Sequence, residues 1–161
     1  MSKSDSHQFI GTVGQKISQG MDPKNQKQKL LDWAYDMAKY LSSKSKRQRD
    51  KFKTATVIFD ETTGKLYFGR NGGIPISNPH LHPKMKELLP DKSLNGYPTP
   101  WNCSEADGIN QALFDGALLK NLHIYTIDTT ISDWGKDKKS CENCTYAYRG
   151  RVKKNNTGWF K

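Results

Sequence analysis

Three cysteines constrain this chain more than any other feature: Cys103 in "WNCSEADGINQAL", and Cys141 and Cys144 in "SCENC". An odd number excludes a complete set of disulfides within one chain. Cys141 and Cys144 have the C-x-x-C spacing of a metal or redox pair. Thiolates held by a metal, or a reducing compartment, suit this set better than a disulfide framework. Both segments read as helix starts. Ala106, Ile109, Ala112, Leu113 and Ala117 recur at helical spacing after Cys103, and "CENCTYAYRG" reads as a helix closing at Gly150. Residues three apart share a helix face, so Cys141 and Cys144 can point at one ion. Helix N-termini favour thiolates through their dipole and free N–H groups. Two such starts converging around the strand "NLHIYTIDT" would give three sulfurs for a tetrahedral Zn²⁺, with the fourth position open to water.

The rest of the chain reads as one α/β domain of 161 residues. Residues 1–21 are a polar tail or linker, with a short helix over Gln8 to Ile17. Met1 to Gln8 shows no signal pattern, and no apolar run is long enough to span a membrane. Residues 22–161 form the domain, with an N-terminal helix over 22–46 and a core over 54–161. Asp22 and Pro23 supply an N-cap and a first-turn proline. Leu30, Trp33, Ala34, Met37, Ala38 and Leu41 then follow at helical spacing. "KSKRQRDKFK" ends that helix and leads into the next element. "TATVIFD" and "KLYFGR", joined by "ETTG", form a hairpin. The proline-punctuated stretch from Asn71 to Pro100 is mostly loop, with a helical turn near Pro83 to Leu89.

Glu105 gives the cysteines a chemistry. In zinc-dependent base deaminases the metal activates water, while a glutamate that is not a ligand moves protons. Their signature is H-x-E followed by P-C-x-x-C, with a three-cysteine variant. This chain has Cys103-Ser104-Glu105, then Ser140-Cys141-Glu142-Asn143-Cys144. Cys103 stands in place of the histidine. Ser140 stands in place of the proline, and serine is a good N-cap for the helix start. A histidine as fourth ligand would instead close a structural site; His7, His80, His82 and His123 are the available ones, and none has ligand-like spacing to a cysteine.

"NCSEADGINQAL", "LHIYTIDT" and "SCENC", with "FDETTGKLYFGRNGG" ahead of them, resemble the cytidine deaminase-like superfamily. The nearest group is the YwqJ-like bacterial polymorphic-toxin deaminases. The resemblance covers Thr54 to Lys161. It implies a three-layer α/β/α fold on a central mixed sheet. Members often carry two strands after the C-x-x-C helix; here there is room for one short strand, near "TGWF", so the sheet is expected to be shortened at its C-terminal end. It further implies Zn²⁺ as cofactor, Glu105 as proton carrier, and hydrolytic deamination of cytosine. A secreted effector domain acting in the target-cell cytoplasm, and an acidic immunity protein as partner, belong to the same implication.

Substrate contacts are less constrained. Asn71 is open between touching sugar or base, as in related deaminases, and forming an Asn-Gly turn. Trp134 and Trp101 offer ring faces on which a flipped base can stack, although Trp101 can equally pack on the core. The net charge of +10 suits a polyanion. The basic clusters "KDKK" and "RGRVKK" bracket the C-x-x-C helix and nominate Lys138 and Arg149 as phosphate contacts. DNA is the expected polymer, single- or double-stranded. The alternatives are a deaminase of RNA or of free nucleosides and nucleotides, or a non-enzymatic nucleic-acid-binding module with a structural Cys₃His zinc.

Overall fold

A computed structural model describes residues 22–74 and 80–161. The expected tail over 1–21, its short helix over Gln8 to Ile17, and His7 lie outside the described residues. The element order is α1 (Pro23–Leu41), α2 (Lys46–Asp50), β1 (Thr54–Asp60), β2 (Leu66–Arg70), α3 (Pro83–Leu88), α4 (Ser104–Phe114), a 3₁₀ turn (Leu119–Asn121), β3 (Leu122–Asp128), α5 (Glu142–Tyr148) and β4 (Lys154–Asn155). The expected α/β class holds: the four strands make one mixed sheet in the order β2-β1-β3-β4.

β1 pairs antiparallel with both β2 and β3, and β4 runs parallel to β3. The β-branched and aromatic content of β1 and β2 suits a pleated, buried surface. Side chains alternate between the faces of a strand, and the buried residues divide accordingly. Ala55, Val57, Phe59, Leu66, Phe68, Tyr125 and Ile127 share one core with Leu30, Trp33, Ala34 and Leu41 of α1. Ile58, Tyr67 and Ile124 share the other with Met85 of α3, Ile109 of α4 and Tyr148 of α5. Helices therefore cover both faces of the sheet. Trp33 stacks on Phe68 with ring centroids 5.4 Å apart, which seats α1 on the sheet.

Three local expectations need correction. The basic run after α1 is not simply a helix end. Ser45 opens a separate short helix, α2, with a reciprocal capping box to Gln48. The expected strand near "TGWF" is also displaced: β4 is Lys154–Asn155. Thr157 and Gly158 turn back instead, with Asn155 Oδ1 accepting from both of their N–H groups. Ser140 is not the N-cap of α5. Cys141 occupies that position, without a side-chain capping bond, and the Ser140 hydroxyl is engaged elsewhere.

Candidate active site

Two helix starts meet on the α4 face of the sheet. Cys103 is the N-cap of α4 and Cys141 that of α5, while Cys144 lies one turn into α5. The N-cap residue is extended and its successors are helical, so Cys141 and Cys144 fall on the same side of the first turn. The three sulfurs lie within 4.8 Å of one another, close enough to hold one metal ion. Tetrahedral ligation at a metal–sulfur distance of about 2.3 Å requires sulfurs roughly 3.8 Å apart, so the three donors are of the right kind and near enough, provided that Cys103 and Cys141 are reduced and separate. Among the described residues no histidine belongs to the group. His82 caps α3, its Nδ1 accepting from the Lys84 N–H, and His123 Nε2 bonds Glu61 Oε1 at 2.8 Å.

Within the trio, Cys103 and Cys141 stand at disulfide distance and Cys144 is a free, buried thiol. That qualifies the expectation of three separate thiolates. The Cα atoms of the pair are 7.1 Å apart, outside the roughly 4.4–6.8 Å in which disulfides usually form. Burial pushes the Cys144 thiol well up, and the neighbouring Glu105 carboxylate adds to the shift. A metal would therefore have to displace its proton.

Glu105 is the second helical residue of α4 and only 3% exposed. Burial raises its carboxyl above the ordinary range. Its own N–H, the hydroxyls of Ser140 and Thr126, and the charge of Lys138 act in the opposite direction. The Thr126 hydroxyl donates to Oε2 at 3.0 Å, and the Ser140 hydroxyl donates to the same oxygen at 2.9 Å. Behind Thr126 lies Thr56 Oγ1 at 2.8 Å, and behind that Ser104 Oγ at 2.7 Å. Sequence reasoning missed these hydroxyls. Thr56 and Thr126 are even-numbered threonines paired across two strands whose odd positions face α1, a parity that could have flagged them.

The remaining sequence-nominated residues are scattered around this centre. Lys138 contributes charge toward Glu105, its N–H donates to the Thr126 carbonyl at 2.9 Å, and its Nζ lies 4.0 Å from Asp128. Asn71 is occupied by backbone: Oδ1 accepts from the N–H groups of Lys53 and Thr54 at 2.9 and 3.0 Å, and Nδ2 donates to the Lys51 carbonyl. Next to it, Gly72 N–H bonds the Asn102 carbonyl at 2.8 Å, tying the hairpin end to the approach to Cys103. Trp101 is half-buried against the α4-side core. Trp134 is 39% exposed and sets its ring edge against Phe52, which belongs to the α1-side core. Arg149 is exposed at the C-cap of α5.

The arrangement can thus hold a soft cation on three sulfurs and present a buried carboxyl beside it. In comparisons with known proteins, no family model, no curated protein and no solved structure matches this chain.

Proposed function

We propose that this chain is a zinc-dependent deaminase converting cytosine to uracil in nucleic acid, preferentially DNA. The observation that carries the reading is the buried carboxyl of Glu105 two residues from Cys103, beside three sulfurs within 4.8 Å of one another. The mixed sheet with helices on both faces is compatible with the deaminase-like fold that the motifs imply. An effector-toxin role and an acidic immunity partner rest on the resemblance of those motifs alone.

Cys103, Cys141 and Cys144, reduced, would hold Zn²⁺. The ion supplies Lewis acidity that brings the pKa of a water toward neutrality. Glu105 would take a proton from the attacking water, deliver it to the ring nitrogen, and then assist the departing amine. A C–O bond forms at C4 of cytosine and the C4–N bond breaks, so cytosine and water become uracil and ammonia. A carboxyl whose proton affinity is raised by burial is suited to carrying a proton near neutral pH.

Charge supports a polymeric substrate. Lys46, Arg47, Arg49, Lys51 and Lys53 are exposed along α2 and its exit. That segment reaches the cysteine end of the sheet, where the Lys53 carbonyl accepts from the Thr129 N–H at 2.9 Å and Asn71 clasps Lys51 and Lys53. A phosphate backbone following these cations would pass along the cysteine end of the sheet.

Uracil formation should be measured side by side on single-stranded DNA, double-stranded DNA, RNA and cytidine, with reduced, zinc-supplied protein at rising salt. The expected result is turnover on DNA above RNA and cytidine, falling steeply as salt rises. Equal turnover of free cytidine with a flat salt response would move the substrate to small molecules. Absence of uracil from every substrate would defeat the reading.

A further inference from the structure

Both hydroxyl donors to Glu105 fall on one oxygen, and the direction of their protons is determined by what lies behind them. Asn155 Nδ2 donates to Ser140 Oγ at 2.9 Å. The Ser140 proton is thereby left for Glu105 Oε2. An ionised carboxylate only accepts, so Thr126 must give its proton to Oε2 as well. Thr126 then accepts from Thr56, and Thr56 in turn from Ser104. Ser104, Thr56, Thr126 and Ser140 are all buried, which shields the chain from competing water.

We propose that Ser140 and Thr126 are positioning residues that hold Oε2 of Glu105 and thereby set the plane of its carboxylate. This rests on the deaminase reading of the site. The two donors come from different elements, β3 and the segment before α5, with Asn155 of β4 backing one of them. The carboxylate plane is therefore tied to the sheet as well as to its own helix. The role of β4, only Lys154–Asn155, follows from the same contacts: it brings the amide that orients Ser140.

The test uses the full chain, reduced and zinc-supplied, with Thr126→Val, Thr126→Ser, Ser140→Ala and Ser140→Thr beside the wild type. Losing a hydroxyl should lower kcat for cytosine deamination about 10- to 100-fold, with KM within about twofold and zinc content unchanged. The hydroxyl-retaining variants should recover most of kcat. A readout independent of turnover is the ¹³C resonance of the Glu105 carboxyl in glutamate-labelled protein, assigned by its absence in Glu105→Gln. It should move in Thr126→Val and Ser140→Ala and stay near the wild-type position in Thr126→Ser and Ser140→Thr.

Wild-type kcat in Thr126→Val and Ser140→Ala would overturn the proposal. So would an unmoved carboxyl resonance, or Thr126→Ser behaving like Thr126→Val. If the wild type deaminates no cytosine, the deaminase reading fails by itself, and the resonance still decides whether the two hydroxyls hold the carboxyl. If the valine or alanine variant does not fold, the recovery expected of Thr126→Ser and Ser140→Thr, in kcat and in the resonance, carries the same decision.

Discussion

A carboxylate, a thiol and two hydroxyls define the centre, and each has a different cause for being there. Glu105 is buried because α4 begins against the sheet, and its Oε2 accepts from two buried hydroxyls. Cys144 is buried one turn into α5 and is the one of the three sulfurs that stands apart from the close pair. Replacing it leaves two donors, too few for a stable tetrahedral thiolate site. Cys144→Ser should therefore reduce zinc from about one equivalent per chain to a small fraction, read by elemental analysis after chelator washing. Retention of a full equivalent would remove Cys144 from the ligand set. At this scale the sequence was most legible for Cys103, Glu105, Cys141 and Cys144, because their spacing reflects local helix geometry. It was least legible for Ser140, Thr56 and Thr126, whose meeting depends on which strand faces which helix. Asn71 shows the same limit: a turn-type residue was visible, but the backbone groups that occupy its side chain come from Lys51, Lys53 and Thr54, far back in the chain.

Elements are held in register by close approaches that a composition count does not reveal. Where α4 crosses β2, a Cβ on Gly69 would run into the Ser104 carbonyl and the Gly108 nitrogen, both backbone atoms that cannot swing away. Gly69→Ala should cost about 1–3 kcal/mol in a denaturant melt, as overpacking does. It should also displace the start of α4, and with it Glu105. A substitution without effect on stability would mean that α4 is free to shift. The other end of α4 is clasped differently. Tyr67 of β2 donates to Asp115 Oδ2 at 2.6 Å, and Lys65 Nζ lies 3.0 Å from the same oxygen. The Tyr67 hydrogen bond, aided by Lys65, holds the Asp115 carboxyl below its ordinary value. A carboxyl so lowered contributes stability above the unfolded-state pKa and loses it as pH falls through the folded one. The Asp115 side chain is substantially exposed, so its worth is modest, about 0.5–1 kcal/mol. Asp115→Asn should melt slightly below wild type at pH 7, and the gap should narrow as pH drops below about 4. A gap that widens in acid would contradict the sign. Strand and helix boundaries at this scale followed from alternation and helical spacing. The β1 span of Thr54 to Asp60 was legible directly, whereas α2 was hidden because a charged run gives no apolar period.

Across the whole molecule, the site closes a circuit that local pattern could only suggest. The starts of α4 and α5 come together over β3, while β4 on the far side of β3 supplies Asn155. Short, two-residue pairing of β4 with β3 carries no hydrophobic alternation to read, so its position could not be taken from the sequence. A ligand that binds only the folded chain raises its melting temperature by mass action. Reduced protein should gain several degrees on zinc loading and lose them to a chelator, with a gain of about 2.7 kcal/mol at a free zinc concentration of 100 times Kd. An unchanged melt would argue that the three sulfurs do not close on an ion.

The central claim is that the cysteines hold the metal while Glu105 moves protons without holding it. Glu105→Gln keeps the shape and removes the titrating oxygen. Zinc content and cytosine-to-uracil turnover should be measured on the same samples of wild type and Glu105→Gln. The account predicts equal zinc, with turnover down by about 100-fold or more, the scale of general acid–base catalysis. A variant with full zinc and wild-type turnover, or one whose lost turnover merely follows lost zinc, would contradict it.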